Sequence, residues 1–282
     1  MLFKKFIKYQ SLGNDFIIFD WHKKPSMYLQ QALTDAGWQP FVKKNCDRHA
    51  GVGGDGILIV THNQEYQVPE VLIFNADGTI AQTCLNGLRC VAHYLFTTYT
   101  YPDDFIIKMG NRLMKCQVVC DALSGNITKI TTQVGVVTLL GLKKIKTKAG
   151  TFSGHCVDIG NPHFIIFDKK KLSWLNEHGS VIESSPDFPN KTNVEFVWKD
   201  EKTDPGGNSF NLLVYERGCG VTLACGSAVA ATAGLLLSLD EIIKNELITF
   251  FMPGGNVTAW INDDEQIVLQ ATAEALFEGS LF

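Results

Sequence analysis

The chain repeats itself, and this limits what it can fold into more than any other feature. Val71-Leu-Ile-Phe74 is a strand-like run ending at Asn75, and nine residues later Cys84 precedes the apolar run Val91-Ala-His-Tyr-Leu-Phe96. Phe210-Asn-Leu-Leu-Val-Tyr215 is a second such run, ending at Glu216, and nine residues later Cys225 precedes Ala228-Val-Ala-Ala-Thr-Ala-Gly-Leu-Leu-Leu237. A further echo joins Gly13-Asn-Asp-Phe-Ile-Ile-Phe-Asp20 to Gly160-Asn-Pro-His-Phe-Ile-Ile-Phe-Asp168. The chain therefore predicts two related halves, each carrying one cysteine at a helix start. The run after Cys225 is apolar on every face, as in a helix enclosed by protein. At such a start, unpaired N–H groups and the positive dipole end lower a thiol pKa from ~8.5 and can also hold a carboxylate.

At 282 residues and 45% apolar content the chain suits two domains with real cores, the crossover falling near residue 130. A net charge of −4 without a basic run argues against nucleic acid or an anionic membrane as partner. The N-terminal stretch scatters lysines through its apolar residues, unlike a secretory signal, and no apolar run approaches the ~18 residues of a membrane span. Eight cysteines without an export signal favour reduced thiols and a cytoplasmic location over a disulfide framework. No close Cys-x-x-Cys pair or His-Glu-x-x-His run supports a metal site.

Several stretches have ordinary structural readings. Met27 to Lys44 reads as a mixed helix, and Asp47-Arg-His-Ala-Gly-Val-Gly-Gly-Asp-Gly56 as a structural turn, since it lacks the lysine and hydroxyl residue of a P-loop. Cys90 reads as a core filler; Arg89 could meet an anion, though salt bridging or capping its helix is the commoner fate. Phe105 to Val137 alternates as short strands with hairpins, placing Cys116 and Cys120 on one strand face, where a metal pair is conceivable but buried thiols are the better reading. Lys143 to Gly150 reads as a solvated basic loop, Pro205-Gly-Gly207 as part of a polar loop, and Gln266 to Phe282 as closing strands.

Matching cysteines in duplicated halves would bring two sulfurs to one cleft across an approximate two-fold. Inverting a carbon without a cofactor requires a base on one face and an acid on the other, with roles exchanged in reverse. Two sulfurs close together favour one S⁻ and one SH. Arg217 can grip a carboxylate, Glu216 can accept from an ammonium group, and Asn14, Asn75, Asn161 and Asn193 can do either, a set suited to a zwitterion.

Leu12-Gly-Asn-Asp-Phe16, Asp47 through Gly56, Asn75-Ala-Asp-Gly78 through Cys90, Gly160-Asn-Pro-His163, Glu216 through Gly226 and Pro253-Gly-Gly255 together resemble the diaminopimelate epimerase family. The resemblance implies an α+β fold of two similar, pseudo-two-fold related domains, each a β-barrel-like sheet wrapped around a central apolar helix. One would comprise residues 1–130 plus 269–282 and the other 131–268. It implies interconversion of LL- and meso-diaminopimelate in lysine and peptidoglycan precursor synthesis, without cofactor or metal, by a cytoplasmic homodimer. Carried over by position, Cys84 and Cys225 would be the catalytic bases towards the LL and meso isomers. Asn14, Asn75, Asn161, Asn193, Glu216 and Arg217 would hold the substrate, with His163 beside the reacting carbon and Asn86, Gly87, Gly226 and Ser227 around its carboxylate. The chain departs from the family pattern at Leu85, Val221 and Ala228, where glycine, glutamate and glycine are usual; positive φ at Leu85 would strain it. Two alternatives stay open: a racemase of another amino acid, and a ligand-binding or thiol-redox homologue whose catalysis has lapsed.

Overall fold

The first ordered segment is a hairpin in which β1 (Lys5–Ser11) turns through Leu12-Gly13 into β2 (Asn14–Pro25). Both loop residues have positive φ, 56° and 79°, the backbone of a tight hairpin turn whose twist matches the flanking strands. Leucine there is unusual, and burial of its side chain compensates. The turn delivers Asn14 to the strand mouth.

This computed structural model describes residues 4–25, 38–200 and 207–282. After the hairpin come α1 (Trp38–Cys46), β3 (Gly56–Asn63), β4 (Val68–Asn75), β5 (Ile80–Ala81), α2 (Leu85–Tyr99), β6 (Asp104–Met109), β7 (Arg112–Cys120) and β8 (Ile127–Gly135). The series then begins again with β9 (Thr138–Thr147), β10 (Gly150–Asp158), β11 (Pro162–Phe167), α3 (Leu172–Glu183), β12 (Asn193–Lys199), β13 (Ser209–Glu216) and β14 (Gly220–Thr222). It closes with α4 (Gly226–Ser238), β15 (Ile248–Met252), β16 (Gly255–Ile261), β17 (Ile267–Ala271) and β18 (Glu274–Ser280).

The chain divides into two compact units, Met1–Thr132 with Ala271–Phe282, and Gln133–Gln270. Their strand pairings correspond one for one. In the first, β1 lies between β18 and β2, β2 runs parallel to β3, β3 antiparallel to β4, and β4 pairs with β5 and, in parallel, with β6, which leads to β7 and β8. In the second, β10 lies between β9 and β11, β11 runs parallel to β12, β12 antiparallel to β13, and β13 pairs with β14 and, in parallel, with β15, which leads to β16 and β17. Each parallel pair is bridged by a helix, as a crossover connection requires. Neither sheet closes into a complete barrel.

Alternation along the strands builds two layers of core in each unit. In the first, Ile17, Phe19, Ile57, Ile59 and Phe74 pack with Trp38, Val42 and Cys46 of α1. Leu58 points the other way, toward Gly87 of α2. Helix α2 touches β1, β2, β3, β4, β6, β7 and β18, so the sheet curls around it. In the second, Phe164, Ile166, Val194, Phe196 and Leu213 pack with Leu175 and Ile182 of α3. Val229, Leu235 and Leu236 of α4 are buried, each contributing roughly 1.5–3 kcal/mol of burial.

One expectation needs adjustment. Residues 143–147 are not a solvated loop but the second half of β9, paired along β10; the turn is confined to Lys148-Ala149, and Ile145 anchors the strand in the core. The lysines that gave the stretch its loop character sit on a strand with little burial, where long charged side chains are tolerated. Of the proposed helix from Met27 to Lys44, residues 27–37 lie outside the described residues and the remainder is α1; Pro205 and Gly206 also lie outside them. Among the described residues no helix is long and apolar enough to cross a membrane.

Candidate active site

In the first unit, the turn after β5 ends at Cys84, the N-cap of α2, with extended backbone at φ −153° and ψ 102°. Its Sγ accepts from the Gly87 N–H at 3.4 Å, taking up one of the donors that every helix N-terminus leaves unpaired. Gly87 suits this close approach, since a Cβ would lie 3.0 Å from Leu58 Cδ2, near enough that the leucine would have to shift. Leu85 is not among the residues with positive φ; it is the first residue of α2 and is buried, so the predicted strain does not arise.

Asn14 lies against this cap. Its Oδ1 is 3.9 Å from Cys84 Sγ and accepts from Asn86 Nδ2 at 3.2 Å. Its own Nδ2 donates to Asp55 Oδ2 at 2.8 Å, and Arg48 Nη2 holds the other Asp55 oxygen at 2.8 Å. Arg48 also grips Asp15 through two bonds of 3.1 and 2.6 Å, while Lys8 Nζ reaches Asp15 Oδ2 at 2.6 Å. Burial works against the Asp15 carboxylate, but Arg48 and Lys8 outweigh it and bring its pKa from 3.8 to about 2. The glycine-rich loop expected to be structural therefore supplies Arg48 and Asp55, which fix the orientation of Asn14. Asn75, at the end of β4, donates its amide to Thr79 Oγ1 at 2.9 Å.

In the second unit, Cys225 is the buried N-cap of α4, at φ −132° and ψ 111°, with its Sγ 3.3 Å from Ser227 Oγ. Burial pushes its thiol pKa well above the ordinary value; the neighbouring Glu216 carboxylate adds to this and Ser227 opposes it. Glu216 is raised by loss of hydration and lowered by Thr222, whose hydroxyl donates to Oε1 at 2.5 Å, and by Cys225. Asn193 is buried and ties three strand ends together: Nδ2 donates to the Pro162 carbonyl at 2.8 Å, and Oδ1 accepts from the Arg217 N–H at 2.9 Å. The Arg217 side chain stays exposed, with Nη1 3.5 Å from the Asn190 carbonyl. Asn161 precedes β11, where its carbonyl accepts from the Ile159 N–H at 3.3 Å, and Gly226 opens α4.

His163 is 1% exposed and Glu195 0%; Nδ1 of the first meets Oε1 of the second at 2.6 Å, while His163 Nε2 has no partner among the described residues. Burial raises the Glu195 carboxyl pKa and His163 lowers it. Sequence reasoning missed Glu195. The period-two spacing from Asn193 could have found it, because a glutamate at an inward strand position needs a partner.

The sheet registers make the two sites comparable residue by residue. Phe16 pairs with Gly56 as His163 does with Asn193, and Leu58 pairs with Ile73 as Glu195 does with Val214. Phe16 thus corresponds to His163, Leu58 to Glu195, Asn75 to Glu216 and Cys84 to Cys225. The decisive correspondence is the last, a cysteine at the N-cap of the enclosed helix in each unit. The diaminopimelate epimerase family profile matches residues 6–140 and 155–276. This chain belongs to the diaminopimelate epimerase family. It is accordingly an isomerase. Similar proteins include the diaminopimelate epimerases of Rippkaea orientalis, 33% identical, and Elusimicrobium minutum, 32% identical, each match covering 98% of both chains. Among solved structures, a probable proline racemase from Agrobacterium radiobacter (8% identity, 99% and 93% coverage, TM-score 0.74) shares the fold. So does a hydroxyproline epimerase from Agrobacterium vitis with bound trans-4-hydroxy-L-proline (11%, 99% and 92%, 0.72).

Arg89 corrects another expectation. It neither salt-bridges nor caps at the surface: it is fully buried, Nε donates to Ser11 Oγ at 3.1 Å, Nη2 donates to Asn86 Oδ1, and Nη1 has no partner among the described residues. Cys90 and Cys116 are buried thiols as expected, whereas Cys120 is only partly covered. Among the described residues no group of three or more His, Cys, Asp or Glu is placed to hold a metal.

Proposed function

We propose that this epimerase interconverts LL- and meso-diaminopimelate by a two-cysteine acid/base reaction. One thiolate takes the α-hydrogen as a proton, and the other thiol returns a proton to the opposite face. The observation carrying this reading is that each unit offers a cysteine at the N-cap of its enclosed helix, at register-equivalent positions. The chemistry requires two such groups because a planar carbanion regains the original hand unless a second acid serves its other face. Helix N-terminal N–H groups near Asn86, Gly87, Gly226 and Ser227 are suited to the charge that builds on the substrate carboxylate. Asn14, Asn75, Asn161, Asn193, Glu216 and Arg217 supply donors and acceptors for the amino-acid head groups, with His163 beside the reacting carbon. The reaction so catalysed would serve lysine and peptidoglycan precursor synthesis, in the cytoplasm and as a homodimer.

The test is incubation of the purified protein with LL-diaminopimelate in D₂O containing a chelator. Deuterium at the α-carbon with appearance of the meso isomer is the expected result. Label entering only another amino acid would point to a racemase of that substrate, and no label in any amino acid to a homologue that only binds.

A further inference from the structure

The epimerase reading needs one thiolate and one thiol, and leaves open which sulfur is which. Arg89 bears on that choice. A fully buried guanidinium normally sits on a carboxylate, because desolvating an unpaired charge is costly. Its hydrogen bonds go instead to Ser11 Oγ and Asn86 Oδ1, neither of them a carboxylate. The titratable groups whose ionisation would act on it are Cys90 in its own helix, Cys84 at that helix's N-cap and Cys116 on β7. Burial pulls Arg89 down to about 10, still above neutrality, so the side chain is charged. Cys90 and Cys116 are fully buried and their thiols are pushed up, the latter to about 12. That leaves Cys84, partly exposed and capped by the Gly87 N–H, as the sulfur able to carry the balancing charge.

The amides between strengthen the assignment. Arg89 donates to Asn86 Oδ1, Asn86 Nδ2 to Asn14 Oδ1 and Asn14 Nδ2 to Asp55 Oδ2, so the chain from Arg89 to Asp55 has one polarity. Asn14 Oδ1 accepts from Asn86 Nδ2 at 3.2 Å, while its contact with Cys84 Sγ is long at 3.9 Å, so no short hydrogen bond holds a proton on that sulfur. The charge of Asp55 behind Asn14 is matched by Arg48, and Asp77 across the turn is bonded to Thr79. In the second unit the signs are reversed. The position corresponding to Arg89, five residues past the cysteine, is the buried Ala230, while Cys225 is under the influence of Glu216 on β13 and Glu195 on β12, the latter partnered by His163 of β11.

We propose that Arg89 is a positioning residue whose buried charge holds Cys84 as the resting thiolate, so that the single proton of the pair stays on Cys225. This deepens the epimerase reading and rests on it for its consequence: the free enzyme is ready to take a proton at Cys84 and to deliver one from Cys225. After one turnover the proton sits on Cys84, and the enzyme must exchange protons with solvent or run in reverse.

The experiment is iodoacetamide alkylation of the full chain across pH, with the modified cysteine located by peptide mass mapping, in wild type, Arg89→Lys and Arg89→Met. Cys84 is expected to react at lower pH than Cys225 in the wild type. Arg89→Met should move its profile up by about one pH unit or more, a roughly tenfold loss of rate at pH 7, and Arg89→Lys should restore most of it. Cys225 reacting first in the wild type, or a Cys84 profile unchanged in a folded Arg89→Met, would overturn the assignment; if Arg89→Met does not fold, the wild-type order decides. Alkylation needs no substrate, so its outcome is separate from that of the deuterium exchange.

Discussion

Replacing Asp15 by asparagine should cost stability in a way that depends on pH. Asparagine has the shape of a protonated aspartate, so the substitution removes the charge while leaving the packing. Asp15 is 16% exposed and its partner Lys8 5%, so solvent screens the pair little. The carboxyl pKa is 3.8 unperturbed and about 2 in the fold. That difference corresponds to about 2.4 kcal/mol when the group is fully ionised. Because the folded value is depressed, this stability is present above pH 3.8 and is lost as pH falls through 2. At pH 3 about 1.3 kcal/mol of it should remain. Urea titrations of wild type and Asp15→Asn followed by circular dichroism should therefore differ by about 2.4 kcal/mol at pH 7 and by about half that at pH 3. A gap below about 0.5 kcal/mol at pH 7, in the range of an exposed ion pair, or a gap that does not shrink at pH 3, would refute the reasoning. Arg48 joins Asp15 to Asp55, and Asp55 orients Asn14, so the same variant should also lose turnover.

Cys84→Ala and Cys225→Ala should each lower turnover by at least about 100-fold in the deuterium assay. Only Cys84→Ala should also lose the α2 cap, at about 0.5–1 kcal/mol, which Cys84→Ser should recover without recovering turnover. Gly179→Ala would place a methyl 2.2 Å from Tyr215 Cδ2 and 2.9 Å from its Cβ, too near the backbone for the ring to swing clear. A net loss of about 1–2 kcal/mol is expected after the gain in helix propensity, read in thermal melts. Glu195→Gln keeps an acceptor for His163 Nδ1 and removes a carboxyl whose pKa is raised by burial. A raised acid supports the fold below its unfolded pKa of ~4.5 and loses that support as pH rises, so the variant should gain stability on wild type from pH 5 to pH 8 in melts at both values.

The repeat was legible because it is written in strand and helix runs whose spacing follows from local geometry. Asn75 to Cys84 and Glu216 to Cys225 span the same strand end, turn and helix start, and the structure places both cysteines at N-caps. Cys90 could be recognised as core, and Asp47 to Gly56 as a turn, for equally local reasons. Lys143 to Gly150 could not be read correctly, since the pairing of β9 with β10 decides it and lysines on a lightly buried strand resemble a loop.

Sequence alone determined the duplication, the two cysteines at helix starts and the apolar character of the enclosed helices, because each depends on neighbours within one or two turns of chain. Tertiary structure alone decided the electrostatics around each sulfur. Arg89 went to the interior rather than the surface, Glu195 met His163 across two parallel strands, and Asp55 came to Asn14 from a distant loop. The physical reason is that the cost of a buried charge depends on which groups surround it, and those are brought together only when distant strands pair.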